Sequence, residues 1–318
     1  MSRPGHIPTP RRGKKRREYR WLRSDGTPNF SDRIHRETSD MELIAKKPAL
    51  QVSPTTPIIE AIKIMAENYR SLVVSSAGYL KGLLLATNVI DYLGGGELFK
   101  IVSERHGYNI YSALDREPVE SIMIRDPIVA YIDEKLSSVL EKMVIHGIGL
   151  LPVIYRDNRV YGVVSEHDIV KYLYGVVEVG IKVSSVMSSP VVTIEVNKTL
   201  GEAMKRVISY GFRRLPVVEN NTVVGILTVM DIVRFFEPRS LFKRISSDDI
   251  REALSVSVSE VMSREILTVS PDTDLSDAAR MMLDRDVSSA LVVDKDMKLI
   301  GIITERDILY ALTTARQA

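Results

Sequence analysis

A fourfold internal repeat constrains the fold of this chain more than any other feature. Each copy starts with Gly and two apolar residues, and the four copies begin at Gly82, Gly162, Gly225 and Gly301. In the last three, Ser or Thr follows at the third position after the Gly and Asp at the sixth: Ser165 and Asp168, Thr228 and Asp231, Thr304 and Asp307. The first copy has Leu85 and Asn88 instead. A period of this kind indicates supersecondary units that stack on one another to complete their cores.

Upstream of each Gly, apolar residues recur with helical spacing. An apolar residue is followed by a small or apolar residue at +3 and another apolar residue at +7: Ile58, Ala61 and Met65; Leu136, Val139 and Met143; Leu200, Ala203 and Val207; Leu275, Ala278 and Met282. This spacing forms one buried face of a helix. A short apolar strand, a polar turn and the Gly strand follow, which predicts a hairpin. The Ser or Thr then begins a second helix.

Each repeat is therefore predicted as strand, helix, strand, strand, helix in about 55 residues, an α+β unit. This order, closed by G-ϕ-ϕ-[ST]-x-x-D, resembles the cystathionine-β-synthase (CBS) domain. Four copies over residues 41–314 are similar to two tandem CBS pairs (Bateman modules), as in the γ subunit of AMP-activated protein kinase (AMPK) and its archaeal four-repeat relatives. Gly94, Gly95 and Gly96 are predicted to end the last helix of the first repeat, since three glycines cannot continue it.

The resemblance implies three parts of the chain. Residues 1–40 form a basic, intrinsically disordered arm. The first module spans 41–174, with repeats 1 and 2 at 41–93 and 118–174 and a linker at 94–117. The second module spans 175–318, with repeats 3 and 4 at 183–237 and 258–314 and a linker at 238–257. Pairing of modules within one chain, or between two chains of a homodimer, stays open.

Two interpretations of the Ser/Thr-x-x-Asp boxes remain open. As a helix cap, the hydroxyl accepts from the backbone N–H three residues on and the acid reaches back, which contributes about 1 kcal/mol and needs no ligand. As the resemblance implies, the Asp would hold the ribose hydroxyls of an adenine nucleotide (AMP, ADP or ATP), and the Ser or Thr would lie close to the phosphate. Carboxylates accept hydroxyl donors well, and helix N-termini attract anions.

Basic residues favour the third repeat as the best-equipped nucleotide site. Arg213 and Arg214 directly precede its strand, where the resemblance implies phosphate contacts, and they would act with Thr228 and Asp231. Backbone of 184–187 and 190–194 would enclose the base. The equivalent positions are assigned as Arg70 and Ser71, Gly149 and Leu150, and Ser289 and Ala290. The first repeat departs from the pattern at both polar positions, so its site is expected to be empty or altered.

No pattern in the sequence favours an enzyme. Ser165, His167 and Asp168 lie within one helical turn and cannot form a nucleophile–base–orienter chain. The five His residues show no metal spacing, Cys is absent, and no phosphate-binding Walker loop or Rossmann glycine fingerprint occurs. No apolar run reaches the length of about 18 residues that a membrane span needs, and no secretory signal is evident. A cytoplasmic location is therefore expected, and the absence of Cys with only two Gln is compatible with a thermophilic source.

Positive charge is concentrated at the N-terminus. The chain has 43 basic and 41 acidic residues, of which nine basic and one acidic lie in residues 1–23, so this segment carries +8 and the remainder −6. Residues 1–40 have many Pro and Gly and little apolar periodicity, which favours disorder. Arg pairs with phosphates and aromatic rings stack on unpaired bases, so we predict RNA binding. The predicted RNA-binding residues are Arg11, Arg12, Lys14, Lys15, Arg16, Arg17, Tyr19, Arg20, Trp21 and Arg23.

The alternatives for the arm are a solvated tail and an anionic membrane anchor, although few apolar residues could insert. Arm and repeats together resemble archaeal CBS-repeat ribosome dormancy factors of the dual ribosomal subunit inhibitor type. That resemblance implies binding to ribosomal RNA and ribosomal subunits, inhibition of translation, and control by an adenine nucleotide without a metal. The alternative functions are an AMPK-γ-like energy sensor that acts on a protein partner and a membrane-surface regulator of a transporter.

Overall fold

The computed structural model describes residues 41–67, 70–174, 180–220 and 222–314. The strands are β1 (Gln51–Val52), β2 (Ser71–Ser76), β3 (Tyr79–Leu85), β4 (Ala130–Tyr131), β5 (Leu150–Ile154), β6 (Val160–Ser165), β7 (Ile194–Glu195), β8 (Arg214–Glu219), β9 (Thr222–Thr228), β10 (Thr268–Val269), β11 (Ser289–Val293) and β12 (Leu299–Thr304). The helices are α1 (Met41–Ile44), α2 (Ile58–Ala66), α3 (Ala86–Ile90), α4 (Phe99–His106), α5 (Ile110–Arg116), α6 (Leu136–His146), α7 (Glu166–Leu173), α8 (Val183–Val186), α9 (Leu200–Tyr210), α10 (Val229–Phe235), α11 (Pro238–Leu241), α12 (Ile250–Ser255), α13 (Leu275–Asp284) and α14 (Glu305–Thr314). A π-helical turn covers Asp91–Gly95, and 3-10 turns cover Val119–Ser121 and Val258–Glu260.

Each repeat forms its own three-stranded sheet. The first strand pairs parallel to the second, and the second pairs antiparallel to the third, as in β1-β2-β3. The sheets β4-β5-β6, β7-β8-β9 and β10-β11-β12 repeat this order. The predicted strand, helix, strand, strand, helix unit is confirmed four times. The apolar helix positions predicted from their spacing are buried in α2, α6, α9 and α13.

The packing groups the repeats differently from their order along the chain. Unit 1 comprises Leu50–Pro127 and Val192–Glu265, the central parts of repeats 1 and 3, and unit 2 contains the remaining described residues, chiefly from repeats 2 and 4. Each unit has its own hydrophobic core. The four repeats form two modules, and the bounds 41–174 and 175–318 stay a prediction, because each compact unit draws on both segments.

The leading segment of each repeat pairs with the sheet of the neighbouring repeat. In unit 2, Lys46 of the first repeat bridges Val163 in β6, and Ser188 of the third bridges Ile302 in β12. In unit 1, Ile124 of the second repeat bridges Leu83 in β3. This exchange links repeat 1 with repeat 2 and repeat 3 with repeat 4.

The recurring Gly is explained by that exchange. A Cβ at Gly162 would lie 2.5 Å from the Lys46 carbonyl oxygen, and one at Gly225 would lie 2.7 Å from the Ser263 carbonyl oxygen. Backbone cannot move aside as a flexible side chain can, so these positions need Gly for close approach. The glycine pattern marks the crossing of two backbones.

The run of glycines after α3 does more than end a helix. The helical hydrogen bonding continues in a π turn as far as Gly95, although φ at Gly94 is +141°. A Cβ at Gly94 would lie 2.7 Å from the Leu254 side chain, and one at Gly95 would lie 2.8 Å from the Ile208 side chain. The glycines therefore also let α9 and the end of α12 approach the first repeat within unit 1.

Among the described residues, no helix combines the length and the apolar character that a membrane span requires.

Candidate functional site

The three Ser/Thr-x-x-Asp boxes cap the helices that follow them. In each box the backbone N–H of the Ser or Thr donates to Asp Oδ2 over 2.8–2.9 Å. The Asp backbone N–H donates to the hydroxyl over 3.2–3.4 Å. The hydroxyl also donates to Oδ2, over 2.5 Å in Ser165–Asp168. The predicted capping is confirmed, and nucleotide binding by these residues stays a prediction.

The other oxygen of each Asp contacts a different group in each box. Asp168 Oδ1 lies 3.3 Å from Lys46 Nζ. Asp231 Oδ1 lies 3.3 Å from Arg234 Nη1 on the same helix. Asp307 Oδ1 accepts from Ser188 Oγ over 3.1 Å. Because Oδ2 holds the cap, Oδ1 is the oxygen with which an Asp could accept a ribose hydroxyl.

Lys46 and Ser188 are site residues that the sequence analysis missed. Both lie in the leading segments of repeats 1 and 3, and the crossing of those segments over β6 and β12 brings them to Asp168 and Asp307. The signal available in the sequence was the recurring Gly, which required some backbone to pass close by. It did not indicate which segment would pass.

The structure brings together the four residues predicted for the third repeat. Arg214 at the start of β8 is directly opposite Thr228 at the end of β9. The Arg213 carbonyl accepts from the Val229 N–H, the first residue of α10, over 2.9 Å. Both arginines are half-buried beside the box that Asp231 completes. The predicted role of 184–187 and 190–194 in enclosing a base stays a prediction.

The strand register corrects the equivalent positions in the fourth repeat. Ser289, not Ala290, is opposite Thr304, and the Ser288 carbonyl accepts from Glu305 N–H. The equivalents of Arg213 and Arg214 are therefore Ser288 and Ser289. The prediction of Ser289 and Ala290 was one residue too late. Arg70 holds the place of Arg213 in the first repeat, since its carbonyl accepts from the Ala86 N–H.

The first repeat keeps one of the two hydrogen bonds of the capping box, and a neutral amide replaces the carboxylate. Asn88 Oδ1 accepts from the Leu85 N–H over 3.0 Å, and Asn88 is buried. Leu85 has no hydroxyl that could accept a hydrogen bond from the Asn88 backbone N–H. A neutral amide lacks the charge with which a carboxylate strengthens its hydrogen bonds to hydroxyl donors, which agrees with the expectation of an altered site.

Charged residues join the second and fourth repeats within unit 2. The two middle positions of each box are Glu166 and His167 in repeat 2 and Glu305 and Arg306 in repeat 4, and α7 packs against α14. Arg306 Nε lies 2.5 Å from Glu166 Oε1, and His167 Nδ1 lies 2.7 Å from Glu305 Oε1. We call this contact the charged seam. Each repeat therefore contributes one carboxylate and one cation.

Both carboxylates of the charged seam are almost fully buried, with side chains 2% exposed for Glu166 and 5% for Glu305. The hydrogen bond with Glu305 raises the pKa of His167 above its ordinary value of 6.5, against the lowering by burial. Burial acts to lower the pKa of Arg306, but the charge and hydrogen bond of Glu166, together with the nearby Tyr310 and Asp307, raise it above its ordinary value. Arg306 also donates to the Gly147 carbonyl over 3.1 Å.

The apparent triad of the second repeat is accounted for by these contacts. Ser165 Oγ donates to Asp168, while His167 Nδ1 bonds Glu305. The histidine therefore orients toward the fourth repeat and not toward the serine. This geometry agrees with the prediction that the three residues do not form a nucleophile–base–orienter chain.

The equivalent contact in unit 1 carries no charge. Helix α10 packs against α3, and the positions that match the charged seam are Ala86 and Thr87 in repeat 1 and Val229 and Met230 in repeat 3. Ala86, Val229 and Met230 are buried in the core of unit 1. We call this contact the uncharged seam. The sequence signal for the difference was present at the two middle positions of the boxes.

A separate cleft of about 630 Å³ opens between the two linkers of unit 1. Its lining includes Arg105, His106 and a stacked pair of rings, Tyr111 and Phe242, whose centroids lie 4.4 Å apart. None of the predicted nucleotide-binding residues is among its lining residues. The predicted RNA-binding residues of the arm lie outside the described residues.

Comparison with known proteins places these features in a family. The CBS domain family matches residues 40–95, 119–175, 183–238 and 258–314. Protein MJ1225 of Methanocaldococcus jannaschii, a proposed archaeal homologue of the AMPK γ subunit, is 28% identical over 272 residues, covering 85% of this chain and 97% of its own. Its crystal structure matches with a TM-score of 0.80 over 84% of this chain and 98% of the other.

Two further proteins share most of this length. An uncharacterised 33.4 kDa protein in a ribosomal RNA operon of Thermofilum pendens is 32% identical over 85% of this chain and 90% of its own. A conserved protein of Pyrococcus horikoshii, 18% identical, shares the fold with a TM-score of 0.53 over 85% of this chain and 97% of the other. The matches cover all four repeats, and the chain belongs to the CBS domain family.

Proposed function

We propose that this protein is a non-enzymatic, adenine-nucleotide-responsive regulator that binds ribosomal RNA through its basic N-terminal arm and restrains translation. The observation that carries the proposal is the separation of charge, +8 in residues 1–23 against −6 in the remainder. A polyanion is attracted to the arm and not to the repeats, which leaves the repeats available for a regulatory ligand.

The third repeat supports the nucleotide part of the proposal. Arg214 lies opposite Thr228 across the hairpin, so a basic residue neighbours the hydroxyl that would lie near a phosphate. Asp231 Oδ1 would accept a ribose hydroxyl in place of its contact with Arg234. The likeness to MJ1225, a proposed homologue of the AMPK γ subunit, supports the same ligand class.

Isothermal titration with AMP, ADP and ATP tests this site. Asp231→Ala is expected to remove one binding site from the titration. Glu202→Ala is the matched control, because Glu202 completes a capping box with Thr199 on α9, outside the Gly-containing motif. If both substitutions leave the titration unchanged, Asp231 is a helix cap only.

Two observations support RNA as the partner of the arm. Its arginines combine charge with planar groups that stack on bases, and Tyr19 and Trp21 supply aromatic rings within the same segment. The relative from Thermofilum pendens is encoded in a ribosomal RNA operon. A gene in such an operon is transcribed together with ribosomal RNA. This favours a role at the ribosome over a role at a membrane.

Fluorescence anisotropy with a labelled single-stranded RNA tests the arm directly. The full chain is expected to bind and residues 24–318 to lose most of the affinity. If the arm contacts about six phosphates, a plot of the logarithm of the association constant against the logarithm of the salt concentration has a slope of about −4 for a single strand. A full chain and a truncated chain of equal affinity would contradict the proposal. A variant with Trp21→Leu alone separates stacking from charge.

The likeness to MJ1225 favours a second candidate, an energy sensor that regulates a protein partner through the repeats. Deletion of residues 1–23 distinguishes the two candidates. It would abolish the RNA-dependent activity but leave an interaction made by the repeats intact.

A further inference from the structure

Repeat 2 carries tyrosines and cations in contact with one another on its sheet and hairpin turn. The guanidinium of Arg156 lies 4.0 Å from the ring centroid of Tyr131, and that of Arg159 lies 5.1 Å from the ring of Tyr155. Tyr155 and Tyr161 meet edge to face at 5.6 Å. We call these residues, with Lys47 and Lys142, the tyrosine surface.

Two lysines extend the tyrosine surface on either side. Lys47 Nζ donates to the Tyr161 hydroxyl over 2.6 Å, and Lys142 Nζ lies 5.5 Å from the centroid of the Tyr131 ring. Arg156 and Arg159 are exposed, while the three tyrosines are half-buried. The half-buried rings are therefore packed from below, and a cation lies over each of them.

We propose that the tyrosine surface binds single-stranded RNA, with unpaired bases stacking on the arginine–tyrosine pairs and phosphates contacting the arginines. This inference rests on the proposed function of the arm. Lys47 follows Met41, the first described residue, by six positions in the sequence, and the basic arm precedes Met41. RNA held by residues 11–23 would thus have a second contact in the same chain.

Most of the cations of the tyrosine surface are paired with carboxylates, so we assign the larger part of its affinity for RNA to stacking. Arg156 pairs with Asp133, Arg159 with Asp157, and Lys142 with Glu134. These carboxylates offset three of the four cations, so the surface attracts phosphate weakly by itself. A base of any identity can stack on an aromatic ring or on a guanidinium plane, which suits a contact added to a strongly basic arm. Duplex RNA, whose bases are paired and stacked, offers no such partner.

The fourth repeat provides a matched control within unit 2. Its hairpin has Lys295 and Lys298 at the positions of Arg156 and Arg159, and Met297 repeats the positive φ of Asn158. It has Asp294 and Ile300 where repeat 2 has Tyr155 and Tyr161. The pairs R156Q/R159Q and K295Q/K298Q therefore remove the same charge from equivalent turns, with and without tyrosines nearby.

The test measures the affinity of the full chain for a fluorescein-labelled 20-nucleotide single strand and for the same RNA as a duplex. We expect R156Q/R159Q to weaken single-strand binding about tenfold and K295Q/K298Q by less than twofold. Tyr155→Leu, which keeps the packing below the ring, should weaken single-strand binding about fivefold and leave duplex binding within twofold. Melting curves confirm that each variant is folded.

Several results would overturn the inference. Equal losses in the two double variants would show that only net charge matters. An unchanged affinity in R156Q/R159Q, or in Tyr155→Leu, would remove the surface from RNA binding and favour a protein partner for it. If residues 24–318 lose RNA while the surface variants keep it, the proposed function stands and this inference fails. If the full chain binds no RNA, both fail.

Discussion

The two compact units use the same pair of helices in chemically opposite ways. In unit 2, the charged seam joins α7 and α14 through Glu166–Arg306 and His167–Glu305. In unit 1, the uncharged seam joins α3 and α10 through residues such as Ala86, Val229 and Met230. Both seams begin at the residue after a capping position. One repeat architecture therefore tolerates either ion pairs or apolar contacts there, and only the charged seam can respond to pH.

The largest effect is expected from placing a charge in the uncharged seam. Val229→Glu would bury a carboxylate at a position that is 4% exposed, without the cation that Glu166 has. The free energy of unfolding of unit 1 should fall by about 4 kcal/mol. Hydrogen exchange read by mass spectrometry would show reduced protection in α3 and α10. Unchanged protection in those helices would contradict the assignment of this seam.

Removing one partner of the charged seam should have the next largest effect. Glu166→Ala leaves the largely buried Arg306 without its carboxylate, at a cost of about 3 kcal/mol to unit 2. Reduced protection in α7 and α14, with α3 and α10 unchanged, is the expected exchange pattern. Glu166→Gln, which keeps the shape and one acceptor, should cost less. A Gln variant as stable as the wild type would show that packing and not charge sets the stability.

The pH dependence of unit 2 follows from His167. Because Glu305 raises its pKa in the folded state, the pair contributes fully below pH 6.5 and the contribution is lost as the pH rises through the raised value. The charge of Asp168 also raises the pKa of His167, while Lys46 lowers it. Asp286 Oδ1 lies 3.9 Å from His167 Nε2.

We expect unit 2 to lose about 1 kcal/mol between pH 6 and pH 8.5. Urea unfolding followed by hydrogen exchange at the two pH values measures this loss. In His167→Gln the same change of pH should leave the protection of α14 unaltered. A wild-type unit 2 that is equally stable at both values would contradict the ion pair.

The smallest effect should come from replacing one ion pair of the charged seam by the apolar residues of the uncharged seam. The double variant E166V/R306M gives repeats 2 and 4 the residues that Val229 and Met230 provide in repeat 3. Replacing a buried ion pair by apolar residues of similar size is often neutral or stabilising, so a change within about 1 kcal/mol is expected. A loss as large as that of Glu166→Ala would show that the charges themselves are required.

The repeat pattern predicted the fold because it is set by local rules. Helical spacing placed Ile58, Ala61 and Met65 on one buried face, and Ser or Thr before Asp predicted each cap. The crossing segments were not predictable, since Gly162 shows that something approaches closely but not that Lys46 does. The equivalents of Arg213 and Arg214 in the fourth repeat were predicted one residue too late, because no basic residue marks the start of that strand.

The grouping of repeats and the charged seam depend on contacts between distant segments. Glu166 and Arg306 lie 140 residues apart, and each looks like a surface charge when its own helix is considered alone. Comparing the middle positions of the four boxes would have shown charges in repeats 2 and 4 and none in repeats 1 and 3. The candidate nucleotide residues were predictable as a set, because the hairpin register alone places Arg214 opposite Thr228.

Co-sedimentation with ribosomes tests the central claim most directly. Full-length protein and residues 24–318 are run with purified ribosomes and separated subunits on sucrose gradients, with and without AMP. We predict that the full chain travels with a ribosomal subunit, that residues 24–318 remain at the top, and that AMP changes the bound fraction. If neither protein travels with ribosomes or subunits, the arm is not a ribosomal RNA anchor and the account is contradicted.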